Sequence, residues 1–251
     1  MSLPQEWLAD QDHGQAAGVP AAATFQTKPQ LAQVMLERAL TGGVPAKWVT
    51  GDEVYGHDRK LRLWLEGWPQ AYVMTVPANE PVWRGFQQLR VQALITSLAA
   101  DAWQCLSAGE GAKGPRLYDW ALVPRNPPLP PGWGRWLLAR HSLEAPTELA
   151  YYVVYAPEPT PLDEMVRAAG SRWSSEACSD ATTGEVGLDQ DEGRLWSAWS
   201  RHITLALFAH AFLTVVRAQA ELEAHEKGGP RRRPARLHRR PSPRPLKRSC
   251  R

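Results

Sequence analysis

Apolar and polar residues recur along this chain with two different periods, and the change of period marks its regions. Residues 2 to 26 keep no period, because Pro4, Gly14, Gly18 and Pro20 interrupt it, and they read as a loop. After Thr27, Pro29 sits in a first turn. Leu31, Val34, Met35, Arg38 and Ala39 then follow at helical spacing until Gly42 and Gly43 end the helix. Trp48-Val49-Thr50 predicts a short buried strand that delivers Gly51-Asp52-Glu53 at its C-terminal end. His57 to Glu66 predicts a helix, and Ala71 to Val76 (AYVMTV) a second strand. Helix, strand, helix, strand is the α/β pattern of a mostly parallel sheet.

From Pro77 to Pro161 the period becomes that of strands. RLYDWALV (116–123), RWLLARH (135–141) and ELAYYVVYA (148–156) are aromatic and β-branched, and the prolines of PRNPPLPPGWG between the first two exclude a helix or central strand. Three antiparallel strands are predicted. Asp163 to Thr183 returns to helical spacing, with Arg172, Glu176, Asp180 and Thr183 on one face, too polar to be core. Gly184 and Gly187 break that pattern. A helix from Arg194 to about Glu226 then carries Trp196, Trp199, Ile203, Ala206, His210 and Leu213 as an apolar stripe.

Composition changes this picture mainly at the C-terminus. With 43% hydrophobic and 22% charged residues, 251 residues can hold one sizeable core, or a core with an insertion. The net charge of +3 conceals an asymmetry: residues 228–251 hold 10 of the 29 Lys and Arg and no acid, so the remainder is near −7. That tail, GGPRRRPARLHRRPSPRPLKRSCR, has almost nothing to bury, is expected to be disordered, and suits phosphate contact through Arg231, Arg232 and Arg233. Cys105, Cys178 and Cys250 have no CxxC spacing, which points to reduced thiols, a cytoplasmic setting and no zinc site. The apolar run Ile203 to Val216 falls short of the ~20 residues of a bilayer span, and the N-terminus lacks a signal peptide. No membrane partner is expected.

Two blocks carry a resemblance. GDEVYG (51–56), followed far downstream by RW-x-x-E-x-C, GEVGLDQ-x-E and W-x-x-W-x-RHITLAL-x-AHAFL, resembles the DDE-type transposases of bacterial insertion sequences. Within them it resembles the group whose third acid lies in a Tyr-Arg-Glu-Lys signature. Arg172 and Glu176 match that signature; Ala169 and Thr183 stand where the Tyr and Lys would fall. The resemblance implies a ribonuclease-H-like fold and metal-dependent DNA cleavage and strand transfer. Asp52 would be the second catalytic acid and metal ligand, Glu176 the third, and Arg172 their catalytic neighbour. It implies Mg²⁺, since two small hard cations want carboxylate oxygens, with DNA, both transposon ends and target, as partner. A tryptophan of the β-rich insertion stacks on an extruded base in such proteins, which makes Trp120, Trp133 and Trp136 candidates for DNA contact.

Each candidate has a plainer reading. Asp52 could cap the helix starting near His57, Arg172 and Glu176 could form a local ion pair, and the tryptophans could fill core. His202 and His210 read as hydrogen-bonded histidines at a helix contact. The family's first aspartate is matched by neither Asp10 nor Asp12. The expected architecture is thus α/β, a partial ribonuclease-H-like fold whose first strands are missing. Residues 1–76 form part of the core, 77–161 a β-rich insertion, 162–227 the helical remainder and 228–251 the basic tail. The expected function is that of a transposase fragment inactive alone. The alternative is a non-catalytic DNA-binding or inhibitory remnant that also meets full-length transposase copies.

Overall fold

The computed structural model describes residues 10–84, 86–111, 114–125, 130–145 and 147–226. These fall into two compact units, one of residues 24–175 and one of residues 10–23 with 176–226. Arg231, Arg232 and Arg233 lie outside the described residues.

The larger unit is built on a sheet. Helix α2 (Lys28–Thr41; α1 belongs to the other unit) begins in a capping box, Thr27 and Gln30 satisfying each other's backbone N–H groups, with Pro29 in the first turn. Strand β1 (Val49–Gly51) runs into α3 (Glu53–Gly56) and α4 (Arg59–Gly67), and β2 (Tyr72–Val76) returns beside β1. A hairpin of β3 (Pro81–Arg84) and β4 (Gln87–Arg90) leads to α5 (Val91–Thr96). Then β5 (Trp103–Gly111), β6 (Gly114–Pro124), β7 (Trp133–His141) and β8 (Leu149–Pro157) follow in a meander, before α6 (Leu162–Val186).

The six-stranded order is β1-β2-β8-β7-β6-β5. Only β1–β2 is parallel, with Thr50 opposite Val73; every other pair in this sheet is antiparallel. The expectation of a mostly parallel sheet is corrected here. The connections within the meander are short, and short connections join antiparallel neighbours, whereas a parallel return needs a crossover of a dozen or more residues. The predicted β-rich stretch also joins the same sheet, because β8 pairs with β2 (Val73 opposite Val154). Strand β5, which lacks clean alternation in sequence, breaks register between Ser107 and Glu110, where Gly109 takes φ +113° and its N–H donates to Ser107 Oγ at 3.2 Å.

Period-two alternation gives the sheet two apolar faces. On one, Leu61 and Leu65 of α4 and Leu94 and Ile95 of α5 pack on Tyr72, Met74, Leu137, Val153 and Tyr155. On the other, Met165, Val166 and Ala169 of α6 pack on Val73, Trp120, Leu138, Tyr152 and Val154. Helix α6 comes unusually close: a Cβ on Gly170 would stand 1.8 Å from the Ala108 carbonyl oxygen. Covering both faces makes residues at odd and even positions of β2 and β8 alike apolar, which is why these strands read as continuous hydrophobic runs.

The smaller unit is helical, with α1 (Gln11–Ala16), the last turns of α6 and α7 (Trp196–Glu226). The Trp196 N–H donates to the Ala17 carbonyl at 2.8 Å, and Arg217 pairs with Glu185 at 2.8 Å. The stripe read from sequence is the inward one, since Trp196, Trp199, Ile203, His210 and Leu213 are half-buried and Ala206 is buried. The other side is also apolar: Leu205, Leu207, Phe208, Phe212 and Val215 are exposed. By length and composition, Trp196–Ala220 is long and apolar enough to cross a membrane. The run counted from Ile203 missed this because it excluded the tryptophan turn before it. Cys178 is an exposed thiol outside any disulfide.

Candidate functional site

Asp52 stands at the C-terminal end of β1, the end at which open α/β sheets hold ligands. Its backbone is extended (φ −77°, ψ −173°), and Oδ1 accepts the Val54 N–H at 2.9 Å, capping α3 rather than the helix after His57. Asp58 caps that second helix, accepting from the Leu61 N–H at 2.9 Å. The Asp52 side chain is exposed and its Oδ2 has no partner among the described residues, so the cap leaves lone pairs for a cation. Gly56 shows why the GDEVYG block needs a glycine: a Cβ there would lie 1.8 Å from the Thr75 carbonyl oxygen. Only a bare backbone lets α3 pack on β2 and keep Asp52 at the strand end.

Arg172 and Glu176 sit one turn apart on α6. Arg172 belongs to the sheet unit and is half-buried, and Glu176 belongs to the helical unit and is exposed. Burial raises the Tyr152 phenol above its ordinary range, and the Arg140 and Arg172 guanidiniums act against that rise. Next to Arg172, the Trp173 ring stacks on Tyr118 at 5.9 Å, with Arg116 and Arg140 over its face at 5.0 and 5.3 Å. Ala169 is buried where α6 meets the sheet, and the close approach at Gly170 leaves no room there for a tyrosine. Thr183 Oγ1 donates to the Ser179 carbonyl at 2.9 Å, a satisfied hydroxyl on an exposed turn. Among the described residues no group of three or more His, Cys, Asp and Glu side chains is gathered to hold a metal ion. The donors within either unit therefore do not by themselves fit a two-ion carboxylate site.

The tryptophans divide. Trp120 is fully buried, its Nε1–H donating to the Leu106 carbonyl at 3.3 Å and its ring lying against Tyr118 and Tyr152. That indole fills core and has no face to offer a base, which corrects its candidacy. Trp133 is half-buried and stacks on Tyr155 at 4.6 Å; Trp136 is half-buried and lies over Gly134, where any Cβ would meet its ring at 2.1 Å. His202 Nε2 lies 3.0 Å from the Gly187 carbonyl and His210 Nε2 3.2 Å from Cys178 Sγ, both hydrogen-bonded within the helical unit.

Sequence reading missed a second polar cluster entirely. Arg62, on the inward side of α4 between Leu61 and Leu65, is buried and donates to Glu80 at 2.7 Å, and His57 Nδ1 lies 3.0 Å from the other Glu80 oxygen. Glu66 accepts from Tyr72 OH at 2.8 Å and from Arg135 Nε at 2.9 Å, and Arg135 Nη2 reaches its second oxygen. No spacing announces this cluster, because its members come from α4, β2, β7 and a turn, and a buried arginine on an amphipathic helix looks like a polar-face residue in sequence.

Residues 1–94 match the family model described as DDE superfamily endonuclease, which supports a DDE-type, transposase-like domain and a transposase or nuclease type of function. Such nucleases generally use divalent metal ions and act on DNA. No curated protein matches the chain.

Proposed function

We propose that this chain is a DDE-type transposase-like protein of insertion-sequence lineage, in the Tyr-Arg-Glu-Lys group, that binds DNA and contributes Asp52 and Glu176 to its acidic centre. The observation carrying this reading is Asp52 itself: inside the matched region, at the C-terminal end of a strand, solvent-exposed and with a free carboxylate oxygen. In this reading the sheet unit is a ribonuclease-H-like core carrying a β-rich insertion, and Arg172 is the cation beside Glu176. Divalent ions, when bound at such carboxylates, activate water or a 3′-hydroxyl and stabilise the leaving oxygen. The chain's own part is to place the acids and hold the phosphate backbone. Trp133, Trp136, Arg231, Arg232 and Arg233 remain the DNA-contact residues of the proposal.

Asp52 and Glu176 are two of the three acids that such a centre needs. The purified chain is therefore expected to retard DNA carrying the inverted repeats that flank its gene, with affinity falling steeply as salt rises, and to leave that DNA unnicked in Mg²⁺ or Mn²⁺. Failure to bind DNA at low salt would sink the reading; Asp52-dependent nicking would sink its claim of inactivity. A second reading, a non-catalytic binder that inhibits full-length transposase copies, is favoured by the ten cations after residue 227. Binding that survives Asp52→Ala and Glu176→Ala but vanishes on deletion of residues 228–251 would select it.

A further inference from the structure

The cluster of Arg62, Glu80, Glu66 and Arg135 lines a cavity of about 370 Å³ in the sheet unit, bounded by α4, β2, the β3–β4 hairpin and β7. Arg59 and Arg125 complete its charged lining. Four guanidiniums thus meet two carboxylates. Glu66 is fully engaged by Arg135 and Tyr72, and Glu80 by Arg62 and His57. Arg59 and Arg125 have no carboxylate partner among the described residues, so two positive charges stand uncompensated.

Two observations mark the cavity as suited to an anion. Arg62 is only 7% exposed, and its Nη1 is buried without a hydrogen-bond partner, although such a group ordinarily costs stability unless paired. Arg125, just past β6, is held below the usual arginine range, first by burial and then by the neighbouring Arg62 charge. A cavity that gathers four guanidiniums around only two carboxylates is arranged for a charge brought in from outside.

We infer that this cavity binds a phosphomonoester group, with Arg62 Nη1 and the Arg125 and Arg59 guanidiniums as its donors. Such a group carries about −1.5 to −2 charges at neutral pH and three strong acceptor oxygens, matching the surplus of two charges and offering acceptors to the unpartnered Arg62 Nη1 and to the two guanidiniums that lack a carboxylate. A monoanion would leave one charge over. The group could belong to the 5′ end of a nucleic-acid strand or to a free nucleotide; exposed Leu63 and Trp83 line the same cavity and would border the organic part of either.

The test is calorimetric titration of the full chain at low salt with inorganic phosphate, a nucleoside 5′-monophosphate, and one short oligonucleotide prepared with a 5′-phosphate and with a 5′-hydroxyl. Saturable binding of the phosphate probes is expected, weakened at least tenfold by Arg125→Gln, about threefold by the exposed Arg59→Gln, and not at all by Arg167→Gln, whose side chain pairs with Asp163 elsewhere. Preference for the 5′-phosphorylated strand over the mononucleotide identifies a strand end, and the reverse identifies a free nucleotide; either supports the site. The inference is overturned if no phosphate probe saturates, or if Arg59→Gln and any folded Arg125→Gln bind as the parent does. Because small phosphates suffice as probes, failure here leaves the endonuclease reading standing, and failure of DNA cleavage leaves this site standing.

Discussion

In the unit built on the sheet, Trp120, Tyr155, Leu65, Met74 and Leu137 are fully buried, and both sheet faces are covered by helices. In the helical unit the picture reverses: among the described residues Ala206 is the buried apolar residue of α7, while Leu205, Phe208 and Phe212 are more than half exposed. The first unit is held by area removed from water, at about 25 cal/mol per Å². The second is held by backbone hydrogen bonds within α7 and a handful of side-chain contacts such as Arg217–Glu185. A helix apolar on all sides normally has company on all sides, so the two units should respond differently to the same kind of substitution.

The largest contrast should come from core truncation. Trp120→Ala is expected to cost about 3–5 kcal/mol, read as a lower urea midpoint with an unchanged slope. A cost near that of a surface change would break the contrast. Glu80→Gln should cost about 3 kcal/mol, since it leaves the Arg62 guanidinium buried without its counter-charge; an Arg62→Met/Glu80→Gln double variant that regains part of the loss would show that unpaired charge is the cause. Asp52→Ala removes the cap of α3 and should cost about 1 kcal/mol. That loss is small enough for any change in DNA handling by the same variant to be attributed to the carboxylate. Phe208→Ser, on the outward side of α7, should shift stability by no more than about 0.5 kcal/mol while raising the concentration at which the protein stays monodisperse in light scattering. A loss of several kcal/mol there would mean that α7 is as well packed as the sheet.

The same contrast explains how much could be read from the chain alone. β6, β7 and β8 were legible because aromatic and β-branched runs between proline and glycine punctuation have few other outcomes. The inward stripe of α7 was legible because helical period survives without tertiary help. β5 was not, because WQCLSAGEG mixes polar and small residues around a bulge; nor was the antiparallel joining of β8 to β2, which depends on connections rather than on strands. Asp52 was singled out by its motif, but whether it caps a helix or points to solvent is one local geometry with two consequences, and it does both. Trp120 carried the same letters as Trp133, and only its place over Tyr152 shows that it is core. Arg62 and Arg125 left no trace, because a surplus of buried charge is a sum over segments far apart in sequence.

The kink at Gly109 also decides how the sheet can grow. By turning Ser107 to Gly109 in on themselves, it spoils the regular ladder of donors and acceptors along the outer border formed by β5, so no flat strand can be laid against that border over its full length. The opposite border is β1, only Val49–Gly51 long and already followed by the turn that carries Asp52. A strand added on that border would lie beside the turn that carries Asp52.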